Sequence, residues 1–299
     1  MVIDEAQRVN NIGLTLKKIA DLHLNTQVIA TGSSSLELAS GISEPATGRI
    51  WNHTLYPLSA EELANHTSEH EEQRMLEQRL IYGMYPEIVT SPSEAKDILM
   101  GISNSYLYKD LLSYKGIRKP EILQSLVRAI ALQVGTEVSY RELSNLLGID
   151  KVTVENYIDL LEKCFVVLRL GSFSRNLRNE MKKAKKIYFY DNGIRNAVIS
   201  NFAPLQQRND VGALWENFMV SERVKRNSYH RNYANLYFWR TSAPQNEIDL
   251  IEEKDGQLHA FEFKWNPNKK ATMPAAFLRA YPETSFQVIS TDNYWTFVK

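Results

Sequence analysis

Asp249, Glu262 and Lys264 are the side chains whose types and spacing point most directly to chemistry. Residues 235–241, 246–252 and 257–265 read as strands, and Asp255-Gly256 between the last two favours a two-residue hairpin loop. Such a loop fixes the register, with Lys254 facing Gln257, Asp249 facing Glu262 and Glu247 facing Lys264. Directly opposed Cβ atoms lie about 4.5–5.5 Å apart, where like charges repel unless something neutralises them. A divalent cation held by Asp249 and Glu262 would do so, and a shared proton is the less costly alternative. Lys264, two residues after Glu262, falls on the same strand face, where a phosphate can meet both. Hard carboxylate oxygens select Mg2+ (or Mn2+), held weakly until phosphate arrives. The competing reading pairs Lys264 with Glu247 across the hairpin and leaves the acids as a relic.

A second set of acids stands at the start of the chain, where the apolar Val2-Ile3 ends in Asp4-Glu5. Val28-Ile29-Ala30-Thr31 reads as a second strand leading into Gly32-Ser33-Ser34-Ser35, with polar groups beside the first strand's acids. Residues 12–24, with Ile12, Leu16, Ile19 and Ala20 at helical spacing, supply the crossover helix a parallel pair requires. Asp4 and Glu5 then either serve phosphate chemistry or only cap a strand end. A third candidate is the basic run 175–186, six bases against one acid. Its Arg175, Arg178, Lys182, Lys183, Lys185 and Lys186 suit nucleic-acid phosphates, and its bland reading is a solvated linker before a strand at 187–190.

The elements that position these groups are legible in part. Residues 61–118 read as helices interrupted at Pro86 and Pro92. Ser139 with Glu142 caps a helix to Leu147, Gly148 ends it, and Asp150 caps a second helix through Lys163. Val154, Tyr157, Ile158 and Leu161 form its buried stripe, and Phe165 to Leu170 supply a strand, which together spell a winged helix. The exposed positions of the second helix, Lys151, Thr153, Glu155, Asn156, Asp159, Glu162 and Lys163, carry three acids against two bases. A face that reads DNA is usually basic, so packing or a protein partner is expected of this helix. After Gly212 a helix carries Trp215, Phe218, Met219 and Glu222.

Taken in order, DEAQ (4–7), ATGSSS (30–35), GR (48–49), LYPLS (55–59) and GMYPE (83–87) resemble a family of prokaryotic predicted P-loop ATPases of the AAA superfamily. Members carry a helical middle, a winged-helix segment and a C-terminal domain of unknown function. The resemblance implies that Asp4 and Glu5 are the Walker B acids, one on Mg2+ through water and one polarising the attacking water, with Ser33 the sensor. It makes Arg49 the arginine that reaches a phosphate. The C-terminal pattern is similar to PD-(D/E)xK restriction-endonuclease-like domains, which implies that Asp249 and Glu262 hold Mg2+, Lys264 orients water or the scissile phosphate, and Glu216 is a fourth member.

The implied organisation is an α/β P-loop ATPase fragment over 1–60, a helical lid-like region over 61–120 and a winged helix over 121–171. A basic linker and strand follow over 172–205, then an α+β restriction-endonuclease-like domain over 206–299. The sequence departs from the family in holding no GxxxxGK[ST]. The expectation is therefore a truncated ATP-binding switch protein, itself unable to hydrolyse ATP, since ATP belongs to the intact form. A metal-dependent DNA nuclease, or a catalytically inactive DNA- or protein-binding protein, are the alternatives.

Composition sets outer bounds. The 299 residues, 43% hydrophobic and 23% charged, suit two or three globular domains, and no run approaches the roughly 18 apolar residues of a membrane span. Cys164 is the single cysteine, so no internal disulfide forms; with no basic or apolar leader at the start, a cytoplasmic setting is expected. Lys plus Arg and Asp plus Glu both total 35, so attraction to nucleic acid must come from local patches.

Overall fold

The computed structural model describes residues 1–6, 9–22, 26–32, 51–105, 120–174, 185–241 and 246–299. It begins with a small β-α-β unit of β1 (Val2–Ile3), α1 (Ile12–Asp21) and β2 (Ile29–Ala30). The strands pair in parallel, Val2 opposite Ile29 and Ile3 opposite Ala30, an arrangement that needs a crossover such as α1.

Among the described residues the next helices are α2 (Ala60–His66), α3 (Glu69–Arg74), α4 (Leu76–Tyr82), α5 (Pro86–Thr90), α6 (Ala95–Ser105) and α7 (Pro120–Leu132). Ser59 and Glu62 close a reciprocal capping box on α2, and Pro86 opens α5 from the first turn, where its missing N–H costs nothing.

Next come β3 (Glu137–Val138), α8 (Tyr140–Leu147), α9 (Lys151–Lys163), β4 (Val167–Ser172) and β5 (Lys185–Phe189). The caps act as their residue types predict: Ser139 accepts from Glu142 N, Gly148 adopts φ +65°, and Asp150 accepts from Thr153 N. Val154, Tyr157, Ile158 and Leu161 are all buried. Arg169 on β4 pairs with both Asp159 and Glu162, so the two acids that tipped the outer face of α9 negative are already neutralised within the fold.

The C-terminal third contains α10 (Asn192–Val198), α11 (Val211–Tyr229), β6 (Asn235–Arg240), β7 (Glu247–Lys254) and β8 (Gln257–Phe263). It ends in α12 (Ala275–Ala280), β9 (Ser285–Ile289) and α13 (Trp295–Val298). A seven-stranded mixed sheet runs in the order β3-β5-β4-β6-β7-β8-β9. Its continuity turns on β4. Val167 to Leu170 pair antiparallel with β5, whereas Gly171 and Ser172 pair in parallel with Tyr237 and Phe238 of β6. The division that the sequence places after residue 171 therefore falls inside a strand that two groups of strands share. Strand-like apolar runs do not reveal which neighbours they pair with, so periodicity could not show this.

The β7–β8 hairpin has the register that its loop dictates, Lys254 opposite Gln257 through Leu250 opposite Phe261. Asp255 (φ +51°) and Gly256 (φ +80°) both occupy the left-handed region that such a turn demands. One core, containing Trp215, Phe218, Phe261, Phe263 and Phe297, joins the helical middle to the sheet. A smaller cluster of Phe173, Ile248, Ile251, Ala260 and Phe277 includes α12.

Candidate functional site

The site is organised by α11, which the sheet and the second half of the chain grip residue by residue. Trp215 is fully buried and packs against Phe218, Trp265 and Tyr294, with ring centroids 5.5–6.2 Å apart. Burying an indole of this size contributes roughly 4–6 kcal/mol before entropy is subtracted. Asn217 substitutes for a strand neighbour: its Oδ1 accepts from Phe189 N at 2.7 Å and its Nδ2 donates to Phe189 O at 3.0 Å. Glu216, between these two anchors, is carried to the strands. Its Oε1 accepts from Lys186 Nζ at 2.8 Å and from Tyr188 Oη at 2.6 Å, both on β5.

Lys186 also pairs with Glu247 at the start of β7. Opposite, Lys264 Nζ donates to Glu262 Oε1 at 2.6 Å. Asp249 lies one step beyond the last Leu250–Phe261 pair of the hairpin, at the level of Glu262. Its Oδ2 accepts from Phe263 N at 2.8 Å, so the carboxylate takes the amide that a continued ladder would send to the carbonyl of residue 248. The local cause is on the other side of β7, where the register against β6 shifts between Tyr237 and Trp239. Beside that irregularity the Glu247–Lys264 pair of the competing reading does not form: Glu247 pairs with Lys186, and Lys264 with Glu262.

Electrostatics follow from burial and proximity. Burial and then the carboxylates of Glu216 and Glu262 push the Asp249 carboxyl well above its ordinary value, with Lys186 and the Phe263 amide opposing them. Burial would lower the pKa of Lys186, but Glu216, Asp249 and Glu247 outweigh it and keep the ammonium charged. Lys264 is likewise raised against its burial, chiefly by Glu262. Burial and the Glu216 carboxylate raise the Tyr188 hydroxyl well above the phenol range, so it stays a donor. Among the described residues no three His, Cys, Asp or Glu side chains gather into a ready metal-ligand set; the carboxylates are interleaved with two lysines.

Several expectations are corrected by position. Lys186 belongs to β5, is 1% exposed and is committed to Glu216 and Glu247, so it is not a phosphate contact on a linker. Lys185 is half-buried on the same strand. Arg175, Arg178, Lys182 and Lys183 lie outside the described residues, as do Ser33 and Arg49. At the N-terminus, Asp4 Oδ1 accepts from Thr31 Oγ1 at 2.5 Å, joining the ends of β1 and β2, and Glu5 adopts φ +48°.

Three buried charged groups, Lys225, Glu222 and Asp191, make interactions that the sequence does not show. Lys225 Nζ donates to Glu222 Oε1 at 2.7 Å and to Leu58 O at 3.1 Å, while Glu222 Oε2 accepts from Ala60 N at 2.7 Å. The segment LYPLS thereby docks on α11, the helix that carries Glu216. Tyr56 adds ring contacts to Tyr190 and Tyr229. Asp191 joins GMYPE to the same core: its Oδ2 accepts from Met84 N at 2.7 Å and its Oδ1 caps α10 through Ile194 N.

Comparison with known proteins divides the chain into three matched segments. Residues 1–64 match an AAA domain, 73–205 a domain of unknown function (DUF8612) and 211–295 a second one (DUF4143). An uncharacterized protein of Haemophilus influenzae is 27% identical over 267 residues, 86% of this chain and 63% of that protein. One of Mycobacterium tuberculosis is 26% identical over 271 residues, 88% and 58%, and one of Methanocaldococcus jannaschii 25% over 229 residues, 66% and 48%. The chain thus spans about three fifths or less of the length of these curated relatives. No solved structure matches. The first 64 residues are thus similar to an AAA, ATPase-like domain, and no helix among the described residues is long and apolar enough to cross a membrane.

Proposed function

We propose that this ATPase-like protein carries, in its C-terminal domain, a divalent-cation site that recognises a nucleic-acid phosphodiester, in the manner of the PD-(D/E)xK domains it resembles. The observation that carries the reading is that Asp249 lies within electrostatic reach of Glu262 at the open end of one hairpin, with Lys264 beside Glu262. The donor chemistry fits Mg2+ or Mn2+: Asp249 Oδ1 and Glu262 Oε2 accept no hydrogen bond among the described residues, and Mg2+ typically takes one or two carboxylates and keeps several waters. A bound cation would supply positive charge at the phosphate and acidify its water.

The chain's own groups divide the remaining work. Asp249 is held in place by the Phe263 amide, Glu262 by Lys264, and Glu216 by Lys186 and Tyr188. The Lys264 ammonium, 28% exposed, remains near enough to water to meet a phosphate oxygen. The winged-helix reading of 121–171 offers a protein- or DNA-facing element, and the basic composition of the run 175–186 offers charge for nucleic-acid phosphates. Docking of LYPLS on α11 links the ATPase-like segment to the helix that bears Glu216. With no GxxxxGK[ST] in its sequence, this chain is expected not to turn over ATP by itself.

The experiment is DNA retention by the full chain in Mn2+ and in EDTA, with plasmid integrity followed in the same samples. Retention that requires Mn2+ and is lost in Asp249→Ala supports the proposal. Cleavage lost in both Asp249→Ala and Lys264→Ala makes the site a nuclease centre, whereas retention without cleavage makes it a recognition site. Retention indifferent to Mn2+ and to Asp249→Ala overturns it.

A further inference from the structure

Lys186 enters this reading only as a support for Glu216. It is 1% exposed, sits on a strand buried on both faces, and lies 5.6 Å from the centre of the Phe238 ring. A lone ammonium in such a place is costly, and it persists because two carboxylates from different elements close on it, Glu216 from α11 and Glu247 from β7. Tyr188 donates to the same Glu216 oxygen, so that oxygen is spoken for twice.

Formal charge then decides how many metal ions the cluster can take. With a cation bound in place of the Asp249 proton, Glu216, Glu247, Asp249 and Glu262 contribute four negative charges, and Lys186 and Lys264 two positive ones. The balance of two negative charges matches one divalent cation. Without Lys186 the balance would be three, and Glu216 and Glu247 would be left as an unneutralised pair of hard oxygen donors, the kind of set that takes a further Mg2+ or Mn2+.

We infer that Lys186 is a built-in cation, occupying between Glu216 and Glu247 the place a second divalent ion would otherwise take and limiting the site to one metal at Asp249 and Glu262. The inference rests on the cation site proposed above. Lys186 is a positioning residue: it holds Glu216 and Glu247 and sets metal stoichiometry.

The test is direct counting of bound Mn2+ by electron paramagnetic resonance of the free ion during titration of the full chain. Asp249→Ala is titrated in parallel so that unrelated surface binding can be subtracted. Wild type is expected to bind one ion that Asp249→Ala loses. Lys186→Ala, folded as judged by its circular dichroism, is expected to bind two. One ion in both wild type and Lys186→Ala overturns the inference and leaves the cation site standing. No specific ion in wild type overturns the cation site itself. Should Lys186→Ala fail to fold, wild type still decides: two specific ions at saturation refute the inference, because Lys186 would then not exclude the second. Lys186→Ala/Glu247→Gln adds a further check. It removes both members of one pair, restores the balance of two negative charges, and is expected to bind one ion.

Discussion

Replacing Lys225 by methionine is expected to be among the most damaging single changes in this protein, although the residue touches no proposed ligand. Its ammonium is fully buried and bridges Glu222 and Leu58 O, and Glu222 in turn holds Ala60 N. Methionine keeps the length of the stem and removes the charge, leaving the buried Glu222 carboxylate without its counter-ion and Leu58 O without its donor. Breaking a buried pair in this way costs about 3–5 kcal/mol. Glu222→Gln alone leaves the buried ammonium short of a charge and falls in the same range. The double variant should recover most of the loss. Glutamine still offers an oxygen to Ala60 N, neither side retains an unpaired charge, and the missing hydrogen bonds amount to about 1–2 kcal/mol. The assay is urea unfolding followed by the fluorescence of Trp215, Trp265 and Trp295, with the free energies combined in a double-mutant cycle. A Lys225→Met variant within about 1 kcal/mol of wild type, or a double variant whose loss equals the sum of the singles, would refute the reasoning.

Gly83→Ala should destabilise the fold by more than the roughly 1 kcal/mol of an ordinary strained turn. Its φ is +73° and a Cβ there would stand 2.0 Å from Asp191 Oδ1, so thermal unfolding should fall well below that of Gly101→Ala, where a Cβ meets open space. Asp210 gives a pH dependence. Burial would raise its pKa, but hydrogen bonds from Arg208 and Arg195 hold it at about 2, below its ordinary 3.8. A depressed native pKa stabilises the fold fully above the unfolded value, and that stabilisation is lost as pH falls from about 4 through 2. Urea midpoints measured from pH 5 to 2 should therefore drop less steeply in Asp210→Asn; an identical slope would contradict the assignment.

Much of the local grammar was legible because it depends on a few residues. Asp255-Gly256 specified a loop and the loop specified a register, which holds from Lys254 opposite Gln257 as far as Leu250 opposite Phe261, one step short of Asp249 and Glu262. Ser139, Gly148 and Asp150 marked helix ends in the same local way. What was not legible depended on partners far away in sequence. Lys186 read as the last residue of a basic run, yet its alternation with Ile187, Tyr188 and Phe189 already placed it on a strand face shared with Tyr188. The sheet then made that face an interior. Glu222 and Lys225 stand three residues apart on α11, a spacing common on helix surfaces, and the partners that hold them buried come from residues 58–60, far away in sequence. The β7 irregularity beside which the Glu247–Lys264 pair does not form lies in the pairing with β6, which hairpin arithmetic does not contain.

The central claim, that Asp249 and Glu262 hold a divalent cation, is tested most directly by anomalous diffraction from crystals of the full chain soaked in Mn2+. The account predicts a single strong peak about 2 Å from a carboxylate oxygen of each residue, absent in Asp249→Ala. A fully soaked wild-type crystal with no peak there, or with its peak only between Glu216 and Glu247, would contradict it.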